Sequence, residues 1–150
     1  MAIRLLPSRA DHVGSFLRPK ALFDAREQWR DGKLDAASLK KMEDDAIRGV
    51  VAMQESAGLK AVTDGEFRRD YWHLDYLGGI EGVQISTETY GMAFNSGITV
   101  GTPYVHAKVG PYKGAMNDHF KFLHSVAKQT AKFCIPAPGM TYMRGGRQGI

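Results

Sequence analysis

The apolar and polar positions of this chain alternate in a way that predicts helices separated by short strands. The strongest helical pattern covers Ala36–Ala57, with Asp35 as its amino-terminal cap and Gly58 as its terminator. Its apolar residues recur at steps of three and four, which predicts one buried stripe, formed by Leu39, Met42, Ala46, Val50, Met53 and Ala57. The same spacing predicts a shorter helix over Lys20–Arg30 and a third helix over Asn117–Thr130.

Short apolar segments between and after these helices predict strands. An extended pattern surrounds Asp11 to Phe16, and the predicted elements that follow are Lys60–Thr63, Tyr104–Val109 and Lys132–Ile135, with weaker strand patterns at Gly82–Thr87 and Ile98–Val100. The segment Tyr71–Thr102 is otherwise glycine-rich and typical of a long functional loop. Strands that alternate with helices indicate a parallel α/β sheet.

The residues at the strand ends favour a (β/α)₈ TIM barrel over a nucleotide-binding sheet. No G-x-G-x-x-G or P-loop pattern follows any predicted strand. Polar residues such as Ser15, Asp64 and Glu66 gather there instead, and the carboxyl ends of barrel strands form the active-site face. A complete barrel needs about 250 residues. We therefore expect residues 1–150 to be about the N-terminal half of a single barrel domain.

Composition and charge exclude several classes of partner. The chain is 43% hydrophobic and 24% charged, as in globular proteins. Its net charge is +4, but acidic and basic residues are interleaved, which argues against a nucleic-acid partner. No apolar run reaches the ~20 residues of a membrane helix, and the N-terminus lacks a signal-peptide pattern. The single cysteine, Cys134, fits a reducing compartment, so we expect a cytoplasmic protein.

Candidate chemistry is concentrated in A-V-T-D-G-E-F-R-R-D-Y-W-H-L-D-Y, residues 61–76. Gly65 allows a sharp turn after the strand, so Asp64 and Glu66 are predicted at the barrel mouth. The further pocket candidates are His12, Arg68, Trp72, His73 and Asp75. These candidates have structural alternatives: a salt bridge from Glu66 to Arg68 or Arg69, Asp64 as a cap of the turn, solvated arginines, a His12 on the barrel floor, and a His73–Asp75 contact within a packed loop.

Four motifs occur in a specific order along the chain. They are H-V-G-S-F-L-R-P, E-D-D-A-I-R-G-V-V-A-M-Q-E-S-A-G-L, V-T-D-G-E-F-R-R-D-Y-W-H-L-D-Y and K-F-C-I-P-A-P-G-M-T-Y-M-R-G-G-R. This order resembles the cobalamin-independent methionine synthase family, and more closely the short single-barrel homologues of its C-terminal catalytic domain. The resemblance implies a TIM barrel that transfers a methyl group from 5-methyltetrahydrofolate to the sulfur of homocysteine, whose thiolate is bound to zinc.

The resemblance also implies roles for particular residues. The family's I/V-G-S segment, which holds the amino-acid end of homocysteine, corresponds to Val13, Gly14 and Ser15. The family's homocysteine-contacting glutamate corresponds to Glu66, whose carboxylate can pair with the substrate ammonium group. Asp64 stands where the full-length enzymes have histidine.

The family's zinc ligands belong to its C-terminal half, so we expect zinc in the complete protein, no metal site in this chain, and no activity of the chain alone. Two alternatives stay open. One is a zinc-dependent alkyltransferase that acts on another thiol, similar to the epoxyalkane–coenzyme M transferases. The other is a non-catalytic fragment that pairs with a C-terminal half, or self-associates through its uncovered strand edge.

Overall fold

The computed structural model describes residues 12–86 and 101–142. The elements in chain order are α1 (Lys20–Arg30), α2 (Ala36–Ser56), β1 (Ala61–Val62), α3 (Leu74–Leu77), β2 (Val83–Ser86), β3 (Thr102–Val105), α4 (Met116–Val126), β4 (Thr130–Ala131) and a 3₁₀ turn (Pro138–Tyr142). These residues form two compact units. We call residues 12–68 with 118–134 the ladder unit, and residues 69–117 with 135–142, within the described ranges, the hairpin unit.

The ladder unit is built on parallel pairing. Strand β1 pairs with β4, with Ala61 opposite Thr130 and Val62 opposite Ala131. An isolated parallel bridge joins Ser15 to Gly65 on the chain that continues from β1. Helices α1 and α2 connect the segment of Ser15 to β1, as a crossover between parallel strands requires. The predicted parallel α/β arrangement is therefore present in this unit.

Helices and strand pack around one apolar core in the ladder unit. Val62 and Leu123 are fully buried, and Ile47 of α2 is also inaccessible to solvent. The complete buried cluster is Leu22, Ile47, Val50, Val51, Val62, Phe67 and Leu123. Val62 thus anchors β1 at the centre of the core, which fixes the position of the residues that follow it.

The buried face of α2 differs from the predicted stripe. Met42 and Met53 were expected inside, but their exposed fractions are 37% and 45%. Leu39 and Val50 are buried as predicted, and the complete set of buried residues of the helix is Leu39, Glu43, Ile47, Val50, Val51 and Gln54. The prediction was wrong for the two methionines, because the buried face also takes in Glu43 and Gln54, polar residues with partners inside the unit.

Gln54 uses its buried amide to continue the backbone pairing of β1. Its Nε2 donates to the carbonyl oxygen of Thr63 at 2.9 Å, and its Oε1 accepts from the Thr63 N–H at 3.0 Å. The side chain is completely buried. One glutamine therefore satisfies both main-chain polar groups of the residue that follows β1, which an apolar residue could not do.

Ion pairs inside the ladder unit fix the chain beyond β1. Arg26 donates to Glu43 Oε1 at 3.0 Å and to the carbonyl oxygen of Phe67 at 2.6 Å. Arg68 pairs with Glu43, with an Nε–Oε2 distance of 3.5 Å, and with Asp44. Both arginine side chains are at least nine-tenths buried. These charges tie Phe67 and Arg68 to α1 and α2.

The hairpin unit has an antiparallel sheet in place of the predicted long loop. Strands β2 and β3 pair from Val83–Val105 to Ser86–Thr102, and the short helix α3 precedes them. Residues 83–86 agree with the weak pattern in the sequence. Strand β3 ends at Val105 rather than Val109, because its partner strand begins at Val83, after Gly82 at φ 84°. The strand predicted at Ile98–Val100 lies outside the described residues.

The last helix and the strand that follows it are also shifted from prediction. Helix α4 begins at Met116 and ends at Val126, four residues before the expected end at Thr130. The N–H groups of Lys128 and Gln129 donate to the carboxylate of Glu55, so the chain leaves the helix there. It then pairs as β4 at Thr130–Ala131, ahead of the predicted strand at Lys132–Ile135.

Candidate functional site

The candidate site begins where β1 ends, in a tight turn over Asp64 to Phe67. Gly65 and Glu66 both have positive φ angles, 68° and 57°. The Glu66 N–H donates to Asp64 Oδ1 at 3.0 Å, and the Phe67 N–H donates to the Asp64 carbonyl oxygen at 3.4 Å. Two consecutive left-handed residues are typical of a type I′ turn. Glycine meets this demand without strain, but glutamate does not.

The segment from Gly14 to Arg18 lies along this turn and is joined to it by three hydrogen bonds. Thr63 Oγ1 donates to the Gly14 carbonyl oxygen at 2.8 Å. The Phe16 N–H donates to the Gly65 carbonyl oxygen at 3.1 Å. Arg18 Nη2 donates to the Glu66 carbonyl oxygen at 3.0 Å. Two segments about 50 residues apart in sequence are thereby held in a fixed register.

Glu66 directs its carboxylate at Gly14. A Cβ atom added to Gly14 would lie 2.9 Å from Glu66 Oε1 and 3.1 Å from Cys134 Sγ. Any other residue at position 14 would therefore displace the carboxylate or the thiol. The thiol of Cys134 in turn donates to the Val13 carbonyl oxygen at 2.6 Å. The structure thus brings together the predicted residues Gly14 and Glu66 and adds Cys134 beside them.

Exposure divides the predicted binding residues into two groups. Asp64 and Glu66 are buried, with exposed fractions of 2% and 9%, although both carry carboxylates. Val13 and Ser15 lie on either side of Gly14 and are exposed, Val13 to 84%. A ligand that approaches from solvent would therefore meet Val13 and the Ser15 hydroxyl before the carboxylate at Gly14.

Arg68 has its partners on α2, away from the contact between Glu66 and Gly14, and its role as a pocket residue stays a prediction. Its side chain is only 4% exposed and pairs with Glu43 and Asp44 of α2. The guanidinium carbon lies 4.7 Å from the centroid of the Phe122 ring. Alternating direction along the turn explains this result, because Glu66 points to Gly14 while Arg68 packs back onto the helices. Neither a solvated arginine nor a Glu66–Arg68 salt bridge describes this arrangement.

His12 belongs to the ladder unit, but its ring is engaged in packing. It stacks on Phe16, with 3.7 Å between ring centroids and 10° between ring planes. Lys132 Nζ also donates to the His12 carbonyl oxygen. These contacts favour the structural interpretation of His12.

Trp72, His73 and Asp75 belong to the hairpin unit. Asp75 accepts from the Asp70 N–H at 3.2 Å and the Tyr71 N–H at 2.8 Å, so its carboxylate orders the chain that leads into α3. His73 is 3% exposed, and its ring contacts that of Trp72 at 4.9 Å between centroids. The hairpin unit also contains an open hollow lined by Asp70, Tyr71, Leu74, Asp75, Ile85, Ser86 and Gly101. Asp75 thus has a clear structural task.

Sequence reasoning missed three contributors to the site. Arg18 and Thr63 hold the backbone, and Cys134 was set aside although its thiol lies beside Gly14. Cys134 follows β4 in the chain as Asp64 follows β1, and the two strands are parallel neighbours. Its place after a strand was therefore the available signal.

The described part of the chain offers no donor set for zinc. Among residues 12–86 and 101–142, no group of three or more histidine, cysteine, aspartate or glutamate side chains is placed to hold a metal ion. Cys134 is oriented by the Val13 carbonyl. These residues therefore do not fit a zinc site. Over the same residues, no helix is long and apolar enough to cross a membrane.

The parallel pairing with its helical crossover defines an α/β domain, and comparison with known proteins identifies its family. The family model described as "Cobalamin-independent synthase, Catalytic domain" matches residues 9–131. The chain therefore belongs to the family of cobalamin-independent methionine synthase catalytic domains.

Similar proteins extend this result. The uncharacterized protein YxjG of Bacillus subtilis is 40% identical over 146 residues, which cover 93% of this chain and 37% of YxjG. A Listeria monocytogenes protein described as a vitamin-B12-independent methionine synthase has a crystal structure that matches with a TM-score of 0.76 and 33% identity, over 95% of this chain and 40% of that one. A B12-independent methionine synthase from Shewanella sp. W3-18-1, in complex with selenomethionine, matches with a TM-score of 0.53 and 26% identity, over 71% and 31%. The chain thus spans well under half the length of these relatives.

Proposed function

We propose that this chain carries the amino-acid-binding part of a methyltransferase that resembles 5-methyltetrahydropteroyltriglutamate–homocysteine S-methyltransferase. The observation that carries the proposal is the Glu66 carboxylate, held in a left-handed turn against Gly14. A buried carboxylate in a conformation that disfavours glutamate indicates a functional demand on that side chain. In this proposal the chain forms about the N-terminal half of a TIM barrel.

The site's chemistry suits the amino-acid end of a thiol or thioether substrate. Glu66 would accept hydrogen bonds from the α-ammonium group, and a charge-assisted contact of this kind is stronger than a neutral one. The Ser15 hydroxyl is exposed beside Gly14 and would donate to the α-carboxylate. The selenomethionine bound by the Shewanella protein is an amino acid of this class. It supports an amino-acid ligand over a thiol without an ammonium group.

The transfer itself requires groups outside the described residues. The complete protein is proposed to use zinc to hold the substrate sulfur as a thiolate and 5-methyltetrahydrofolate as the methyl donor. The residues described here do not fit a zinc site. Their proposed task is to bind and orient the amino-acid end, and a C-terminal part of the barrel would have to complete the reaction.

The single cysteine provides a direct test of ligand binding. Cys134 lies beside Gly14, so an occupied site should slow its reaction with N-ethylmaleimide, measured by intact mass. L-Methionine is the probe, because it has no thiol of its own. We expect it to slow labelling of the 150-residue chain roughly tenfold at saturation. N-Acetyl-L-methionine, which lacks the ammonium group, should not protect.

Variants and a second ligand make the test specific. Glu66→Gln should remove protection by L-methionine, while Glu81→Gln, which changes an exposed glutamate paired with Lys113 in the hairpin unit, should retain it. Protection by 2-(methylthio)ethanesulfonate in place of L-methionine would favour the alkyltransferase of a sulfonate thiol. Labelling that no ligand slows would contradict a binding site at Gly14 and Glu66.

A further inference from the structure

Arg18 ends the segment that carries Gly14, and its guanidinium crosses to the turn of Glu66. Nη2 donates to the Glu66 carbonyl oxygen at 3.0 Å, between residues 48 positions apart. Pro19 follows and has no N–H group, so the main chain cannot continue the ladder beyond Arg18. The arginine side chain therefore makes the last cross-connection between the two segments.

The main chain of Glu66 is held by side chains on both of its polar groups. Asp64 accepts from its N–H at 3.0 Å, and Arg18 donates to its carbonyl oxygen. The neighbouring Gly65 carbonyl oxygen is held by the Phe16 N–H. A non-glycine residue relaxes from positive to negative φ unless such contacts prevent it. Relaxation would rotate the Cα–Cβ bond and move the carboxylate away from Gly14.

We propose that Arg18 is a positioning residue: it keeps Glu66 in the left-handed conformation that directs the carboxylate at Gly14. The inference rests on the proposed function for its effect on ligand binding, but its geometric part concerns the ligand-free chain. Arg18 acts through the backbone of Glu66 and makes no contact with the ligand. A direct role, in which the guanidinium binds the substrate carboxylate, is the competing explanation that the experiment must separate.

Hydrogen exchange of the ligand-free chain tests the geometric part. Arg18→Met removes the donor and keeps the length of the side chain. We expect the Glu66 and Phe67 amides to exchange roughly tenfold faster, with core amides such as Val51 and Leu123 unchanged. Arg18→Lys restores a donor and should recover part of the protection. Unchanged exchange at Glu66, or equal acceleration throughout the core, would overturn the inference.

Ligand binding separates positioning from direct contact. The dissociation constant is measured by protection of Cys134 from N-ethylmaleimide, with L-methionine and with L-methionine methyl ester. We expect Arg18→Met to raise both constants by the same factor, roughly tenfold, because each ligand keeps its ammonium group. A larger factor for L-methionine than for its ester would show contact with the carboxylate and overturn the inference.

A control and the ligand-free result keep the two proposals distinct. Arg48→Met changes an exposed arginine of α2 that pairs with Asp45 and should leave both constants unchanged. If the wild-type chain does not bind L-methionine, the proposed function fails, and hydrogen exchange still decides whether Arg18 holds Glu66. If the wild-type chain binds L-methionine and Arg18→Met leaves hydrogen exchange at Glu66 unchanged, the inference about Arg18 fails while the proposed function stands.

Discussion

Two of the turns that place residues in the left-handed region, one in each unit, meet its steric demand differently. In the hairpin unit, Gly82 at φ 84° precedes β2, and we call this turn the hairpin turn. In the ladder unit, Gly65 is followed by Glu66 at φ 57° in the turn over Asp64 to Phe67, which we call the ladder turn. Among the residues that the structure describes, Glu66 is the non-glycine residue with positive φ. Glycine is the unstrained solution in both places. The difference indicates that the ladder turn retains a carboxylate although its backbone conformation is strained for glutamate.

The two turns are also held by different groups. The Gly82 carbonyl oxygen accepts from the His106 N–H at 2.9 Å, so a backbone group directly after β3 holds the hairpin turn. The ladder turn also has a backbone contact, from the Phe16 N–H to the Gly65 carbonyl oxygen, but it is held in addition by the side chains of Asp64 and Arg18. The Gln54 side chain holds Thr63, which precedes the turn. Backbone contacts define a shape that many sequences can adopt. Side-chain contacts define one orientation, which a binding site requires.

The largest effect is expected for Gly82→Ala, which tests whether the hairpin turn requires glycine. An added Cβ would lie 2.5 Å from the Lys108 carbonyl oxygen and 2.8 Å from that of Ala107. Left-handed strain and this backbone clash together should lower the free energy of unfolding by about 4 kcal/mol. The measurement is a urea titration.

Gly49→Ala is the matched control for that prediction. It lies in α2 at φ below zero, and its added Cβ would have nothing within 4 Å. We expect this variant to be more stable than the wild type by about 0.5–1 kcal/mol. If both variants unfold like the wild type, the hairpin turn does not need glycine, and the contrast with Glu66 loses its basis.

A smaller loss is expected for Gln54→Leu, which tests whether side chains hold the ladder turn. Leucine is similar in size but leaves the N–H and carbonyl of Thr63 without the Gln54 amide. Each buried group that loses its partner costs about 1–3 kcal/mol, so the free energy of unfolding should fall by about 3 kcal/mol.

The control for Gln54→Leu is the same substitution at Gln84, an exposed residue of β2 whose Oε1 accepts from the Tyr104 hydroxyl. Its effect should stay within about 0.5 kcal/mol. If Gln54→Leu left the free energy of unfolding unchanged, apolar packing alone would fix the end of β1. Side-chain hydrogen bonds would then not distinguish the two turns.

The local sequence pattern predicted the bounds of helices α1 and α2 better than it predicted which face of α2 is buried. The bounds of α1 are those predicted, and α2 ends one residue earlier than expected, because spacing, Asp35 and Gly58 are local signals. The buried face of α2 was predicted only in part, since Glu43 and Gln54 are also buried, through partners on other elements. A polar residue whose partner is distant in sequence cannot be distinguished from a solvated one by periodicity.

Partners that are distant in sequence also explain which residues of the site could be predicted and which could not. The resemblance to the family placed Gly14 and Glu66 together, and the structure places the Glu66 carboxylate against Gly14. Arg18 was not considered, although it lies in the same motif, because its contact is with a backbone carbonyl 48 positions away. Arg68 pairs with α2 while Glu66 faces Gly14, because neighbouring residues of a turn point in different directions. Backbone partners leave no residue-type signal in a single sequence.

The smallest change in stability is expected for Glu66→Asn, which tests the central difference between the turns. Asparagine tolerates the left-handed region better than glutamate does. If the ladder turn retains Glu66 for binding, this variant should unfold with a free energy equal to that of the wild type or higher by up to about 1 kcal/mol. It should also lose the protection of Cys134 by L-methionine, because its shorter amide carries no charge to pair with the ammonium group.

Glu66→Gln completes the comparison, since it keeps the length and the conformational strain but removes the charge. Equal stability of the glutamine variant and the wild type, with binding lost in both variants, would show that the carboxylate serves the ligand. A loss of stability in Glu66→Asn as large as that of Gln54→Leu would show the opposite. The contact of the carboxylate with Gly14 would then stabilise the fold, and Glu66 would be required in the strained turn for stability rather than for binding.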